Sequence, residues 1–192
     1  PNELDLRFRS EIGARPRQVA AVAVGYVGNL ADKHHGRGMR TLARTLSRSD
    51  RLQVWVDEDV PLGPGLERYT LVYLVGQRSF QLSRDEMNAL YAYLKAGGTL
   101  FVETCRREPA GEAPAAESAA LDLLASFGVL LNDVHAGHPL LTEPLLFAEP
   151  PAGFETQGTP HLRASQNVIF SSHDYGCLWQ GEQRGKAPSR ET

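Results

Sequence analysis

The sequence predicts an α/β fold in which a mainly parallel sheet is covered on both faces by helices. Short apolar runs recur at 18–24, 52–56, 71–75, 99–102 and 167–171; the run at 71–75 is continuous and rich in β-branched residues, as a strand buried on both faces requires, and 18–24 and 167–171 also read as buried strands. Segments of helical period lie between several of them, and glycine or proline marks the junctions. Strands alternating with helices favour parallel pairing, because right-handed crossovers then place helices on both faces.

Residues 1–17 are polar with scattered apolar positions and read as an N-terminal arm; 18–192 read as a single α/β domain. The first strand, QVAAVAV, runs into Gly25, Tyr26, Val27, Gly28 and Asn29. A loop holding His34, His35 and two glycines leads to a short helix carried by Met39, Leu42, Ala43 and Leu46. LQVWV at 52–56 is the second strand, and Pro61, Gly63 and Pro64 break the chain before the third at 71–75. Ser83 and Glu86 have the spacing of a capping box. Met87, Leu90, Tyr91 and Leu94 give the following helix one apolar stripe, and Gly97 and Gly98 supply a left-handed cap and the turn into 99–102.

RREPAGEAPAAES, after Cys105, reads as a loop long enough to act as a lid. A helix at 117–127 with Leu121 and Leu124 inward stops at Gly128. Prolines at 139, 144, 150, 151 and 160 leave 129–160 irregular, with His138 and Pro139 fixing a turn that anchors Leu140 and Leu141. NVIFS is the last buried strand, and 175–180 is an edge strand or turn. The expected strand order is flavodoxin-like, with the first and third strands flanking the switch point, and sites in such sheets lie at the strand carboxyl ends. Tyr26, Asn29, Gln77, Arg78, Glu103, Cys105, His173 and Asp174 are gathered there.

With 192 residues, 42% hydrophobic and 22% charged, the chain has the composition of one globular domain. No run approaches the roughly 18 apolar residues of a membrane helix. The net charge of −3 gives no basic field, and no nucleic-acid partner is expected. The start at Pro1 without an initiator methionine points to an excised or processed piece, which hides its native targeting. Two cysteines, Cys105 and Cys177, form neither a disulfide framework nor a CxxC metal motif, and both are expected as buried free thiols.

YLVGQRSFQLSRDEMNALYAYLKAGGTLFVETC, then HPLL, then VIFSSHDYGCLWQG and a closing SRET resemble the bacterial domain of unknown function family 4159. The likeness runs from about Tyr26 to the C-terminus. That family is similar to the class I glutamine amidotransferase-like superfamily, so the resemblance implies a flavodoxin-like three-layer sandwich. It also implies an accessory module of a larger membrane-associated or exported assembly, and a domain cut short at Thr192. This chain departs from the family pattern in carrying Gln77 where a histidine is common, and Glu103 and Thr104 where an Asp-Asp pair is common.

The resemblance places Cys105 where an amidotransferase keeps its nucleophile. His173 would then be the general base and Glu103 or Asp174 the orienting carboxylate. Against this, a nucleophile elbow needs small neighbours, and Thr104 and Arg106 flank the cysteine. His34, His35, His135, His138 and His173 are the imidazoles available to a metal, with Glu103 and Asp174 as carboxylates. Adjacent histidines such as His34 and His35 rarely share one ion, Gly137 and Pro139 oppose the helix that the i, i+3 pair His135 and His138 would need, and no metal is expected. GYVGN lacks the glycine spacing and hydroxyls of a phosphate loop, so no flavin or nucleotide cofactor is expected.

The leading expectation is a non-enzymatic module that binds a small ligand or protein partner through Tyr26, Asn29, Gln77, Arg78, Arg106 and Tyr175. A cysteine hydrolase or amidotransferase is the alternative, and a structural subunit of an envelope-associated assembly is the third.

Overall fold

The computed structural model describes residues 18–28, 33–48, 52–105, 113–143, 146–154 and 159–180. The elements in chain order are β1 (Gln18–Val27), α1 (His34–Leu46), β2 (Leu52–Asp57), a 3-10 turn (Leu66–Arg68), β3 (Leu71–Gly76), α2 (Arg84–Lys95), β4 (Thr99–Thr104), α3 (Ala113–Ser126), β5 (Asn132–Asp133), α4 (Pro139–Thr142), β6 (Leu162–Ser165), β7 (Val168–Ser171) and α5 (Tyr175–Trp179). They build one seven-stranded sheet of order β2-β1-β3-β4-β7-β6-β5. The five strands from β2 to β7 are parallel, and β6 and β5 add an antiparallel edge. The expected N-terminal arm lies outside the described residues.

The period-2 alternation of the central strands divides the core. Val72, Leu74, Leu100, Val102, Val168 and Phe170 face one side and pack with Leu90 and Tyr93 of α2 and Ala120, Leu123 and Leu124 of α3. Val22, Val24, Tyr73, Val75, Phe101 and Cys105 face the other and pack with Met39 of α1 and Tyr175 and Cys177 of α5. The chain winds outward from β1 in both directions, first to β2 and then through β3 to β4. Right-handed crossovers therefore put α1 and α2 on opposite faces.

The central unit folds as its local signals predict. Ser83 caps α2, its hydroxyl accepting from the Glu86 amide while the Glu86 carboxylate accepts from the Ser83 amide at 2.7 Å. Gly97 takes φ +90. The Asn167 side-chain amide donates to Gly98 O at 2.6 Å and Leu94 O at 3.2 Å, tying the α2–β4 turn to the β6–β7 hairpin.

Other elements correct the sequence reading. The inward tyrosine of α2 is Tyr93, which is buried beneath Gly98, whereas Tyr91 is 44% exposed. A Cβ on Gly98 would stand 2.3 Å from the Tyr93 ring. α3 begins at Ala113, because Ala116 and Ala120 are small enough to bury against the sheet. His138 caps a short helix, its Nδ1 accepting from the Leu140 amide at 3.2 Å; Leu141 is anchored, but Leu140 is exposed.

Two corrections shape the site. α1 starts at His34, so His35, Gly36 and Gly38 are helical. The glycines serve close packing: a Cβ on Gly38 would fall 2.1 Å from Gly176 O, and one on Gly36 would fall 2.6 Å from the Glu58 carboxyl carbon. Residues 175–179 form α5 rather than an edge strand. Asp174 turns the chain through a left-handed conformation, φ 58, and sends α5 back across the sheet face onto α1.

Candidate functional site

Phe101, Glu103 and Cys105 alternate along β4 and its end, so all three point toward the α1–α5 layer. Register pairs Tyr73 with Phe101 and Val75 with Glu103, which sets the Tyr73 ring beside the Glu103 carboxylate. Glu103 has no exposed surface and is fully engaged. Oε2 accepts a hydrogen bond from the Tyr73 hydroxyl and another from the Gly176 amide at 2.9 Å, and Oε1 accepts from the Tyr175 amide at 2.8 Å. The carboxylate therefore supplies acceptors for the first amides of α5, a role that helix ends require of some partner.

Beyond that carboxylate lies a second cluster. His35, from the first turn of α1, places Nε2 2.8 Å from Asp174 Oδ1 and 3.9 Å from Cys177 Sγ. Cys105 completes the group: single donor atoms from His35, Cys105, Asp174 and Cys177 all lie within 4.8 Å of one another. All four residues have no exposed surface, and both thiols are free. Gln77 Nε2 approaches Cys105 Sγ at 3.5 Å. Gly176 makes the convergence possible, since a Cβ there would stand 2.2 Å from His35 Cδ2 and 2.5 Å from the Tyr73 hydroxyl.

The electrostatics follow from burial and proximity. For Glu103, burial followed by the Asp174 charge raises the carboxyl to about 7, against the lowering effects of the His35 charge and the Tyr73 and Gly176 hydrogen bonds. Burial acts most strongly on His35 and lowers it. The hydrogen bonds it donates to Asp174 and Cys105, and the charges of those two groups, together overcome that and lift the imidazole to about 10. The Cys177 hydrogen bond, with help from His35, outweighs burial and draws Cys105 down to about 6. Cys177 is pushed up, first by its hydrogen bond to Cys105 and then by burial. Burial and contact thus favour the ionised form at Cys105 and the protonated forms at Cys177, His35 and Glu103.

The imidazole at the sulfurs is His35. His173 instead stacks on Tyr175, ring centroids 5.1 Å apart and nearly parallel. Of the expected ligand-binding residues, Tyr26 donates its hydroxyl to Lys33 O at 3.1 Å and accepts from the Gly36 amide at 2.8 Å, anchoring the start of α1. Tyr175 donates to Pro151 O at 2.8 Å. Gln77 is buried and Arg78 exposed; Asn29 and Arg106 lie outside the described residues. Nothing in the sequence pattern joins His35 or Tyr73 to the cysteines. One signal was present: an ionisable residue at 103, in phase with Phe101 and Cys105 on a buried face, requires partners from across the sheet.

No helix among the described residues is long and apolar enough to cross a membrane. A search of curated proteins finds no match. The model of one family, Domain of unknown function (DUF4159), matches residues 18–192, and the chain belongs to that family.

Proposed function

We propose that this domain is a non-enzymatic binding module on a flavodoxin-like, class I glutamine amidotransferase-like scaffold. The parallel order β2-β1-β3-β4-β7 and the position of Cys105 just past β4 support that scaffold. One observation carries the functional reading: the groups with chemistry at the strand ends, Cys105, His35, Asp174 and Glu103, are enclosed beneath α1 and α5 without exposed surface. A nucleophile must reach its substrate, and a sulfur in this position reaches none without α5 moving.

The cysteine-enzyme reading keeps one specific support, the lowered Cys105 thiol beside an imidazole, which is the activation a nucleophile needs. Native alkylation separates the two. In Cys177→Ser protein, where a hydroxyl still donates to Cys105, the module reading expects iodoacetamide to modify Cys105 only at the rate of structural opening. Its rate should rise in parallel with denaturant-driven unfolding. Labelling faster than a free thiol at neutral pH, abolished by His35→Ala, would overturn the module and establish the nucleophile.

A further inference from the structure

Two thiols, an imidazole and a carboxylate meet at one point although they come from three separate segments: the first turn of α1, the end of β4 and the start of α5. The side chains that fix this meeting lie around it rather than in it. Glu103 holds the first amides of α5 and with them Asp174 and Cys177. Tyr26 holds the start of α1 and with it His35. Gln77 supplies an amide to the Cys105 sulfur. The engaged nitrogen of His35 is Nε2, which faces the cluster; Nδ1 has no hydrogen-bond partner among the described residues.

We propose that His35 Nε2, Cys105 Sγ, Cys177 Sγ and an Asp174 carboxylate oxygen form a four-coordinate site for a divalent cation of the zinc class. Bonds of about 2.3 Å to sulfur and about 2.0–2.2 Å to nitrogen and oxygen give a tetrahedron whose edges are roughly 3.3–3.8 Å. The His35–Cys177 edge is 3.9 Å, the His35–Asp174 edge is 2.8 Å, and no pair of donors is more than 4.8 Å apart. Closure therefore takes shifts of about an ångström or less per donor, within the reach of side-chain torsions. Two sulfurs and an imidazole select a thiophilic ion over magnesium or calcium, which take oxygen ligands. Four protein donors with no exposed surface describe a closed structural site rather than a catalytic one. The site deepens the binding-module reading, on which it rests in taking the ion as the bound ligand, and its role is to clamp α1 and α5 to the sheet.

The test uses the full chain, reduced and stripped with a chelator, titrated anaerobically with cobalt(II) alone and separately dialysed against zinc. The expected result is one zinc per chain and, with cobalt, the intense visible bands and thiolate charge transfer of a tetrahedral sulfur-ligated ion. Cys177→Ser and Asp174→Asn, chosen as conservative in shape, should each weaken binding at least tenfold, and zinc should raise the Tm of the parent but not of a Cys105→Ser/Cys177→Ser protein. Folded, reduced parent protein that shows no thiolate charge transfer and takes up no more zinc than the double variant would overturn the site. Failure of the site and failure of the module are told apart by the alkylation experiment. Protected thiols without metal uptake remove the site alone. Metal uptake with fast labelling of the metal-free protein supports the site and removes the closed module.

Discussion

Glu103 is the residue on which the candidate site stands, and its replacement by alanine is the most informative single perturbation. The change strips the acceptor from three buried donors at once: the Tyr73 hydroxyl and the Tyr175 and Gly176 amides. A buried donor left unsatisfied costs about 1–3 kcal/mol, so the three together cost roughly 3–9 kcal/mol, before the lost packing is counted. Set against a total stability of about 5–15 kcal/mol for a domain, that loss dissolves α5 or the whole fold. Glu103→Gln keeps the shape and one acceptor but turns an N–H toward an amide N–H, and should cost about 1–3 kcal/mol. Tyr73→Phe leaves the carboxylate its two amides and should cost about 1–2 kcal/mol. Urea unfolding at about pH 8, where the carboxyl is ionised, followed by tryptophan fluorescence, reads all three, because Trp179 of α5 packs against Tyr73, Phe101 and Tyr175. Glu103→Ala protein that unfolds within about 1 kcal/mol of the parent, with its tryptophan emission unchanged, would show that the three donors do not depend on this carboxylate. A Glu103→Gln and Tyr73→Phe double-mutant cycle that showed no coupling would likewise remove the bond between them.

The same carboxyl makes stability depend on pH. Its value is raised from 4.5 to about 7 by burial and by Asp174, so the folded state retains a proton that the unfolded chain has released, and stability falls as pH rises through about 7. At about 1.36 kcal/mol per unit, the advantage of parent over Glu103→Gln should shrink by about 3 kcal/mol between pH 4.5 and pH 7.5 or so; an advantage constant with pH, by denaturant unfolding, would assign the carboxyl an ordinary value. Tyr93→Ala should cost about 3–5 kcal/mol as a buried aromatic truncation, and Tyr91→Ala less than about 1 kcal/mol; equal losses of Tm would place both rings in the core. Gly176→Ala sets a methyl 2.2 Å from His35 Cδ2 and 2.5 Å from the Tyr73 hydroxyl, two buried side chains held by their own hydrogen bonds, and the overpacking should cost at least about 1–3 kcal/mol. An unchanged Tm there would mean that α1 and α5 are not seated against each other as described.

Local patterning along the chain lays down the parallel layers. The apolar runs at 71–75 and 99–102, bounded by turn residues, mark strands buried on both faces, and the Ser83–Glu86 box and the Gly97 cap are complete within a few residues. These signals are local, so each stretch carries its own evidence. The position of Cys105 and Glu103 at a strand carboxyl end was legible for the same reason, because it follows from counting along one strand. Contacts between distant segments settle the remainder. Gly36 and Gly38 read as loop glycines in isolation, yet they lie within α1, where Glu58 and Gly176 come too close for a side chain, and nothing near them in the chain reports that approach. Residues 175–179 read as strand or turn, and they are helical because Glu103, more than seventy positions earlier, accepts their first amides. His35 joins Asp174 across 139 positions for the same reason: hydrogen bonds and close packing between distant segments leave no periodicity in the sequence, and only the folded chain brings their donors and acceptors within reach.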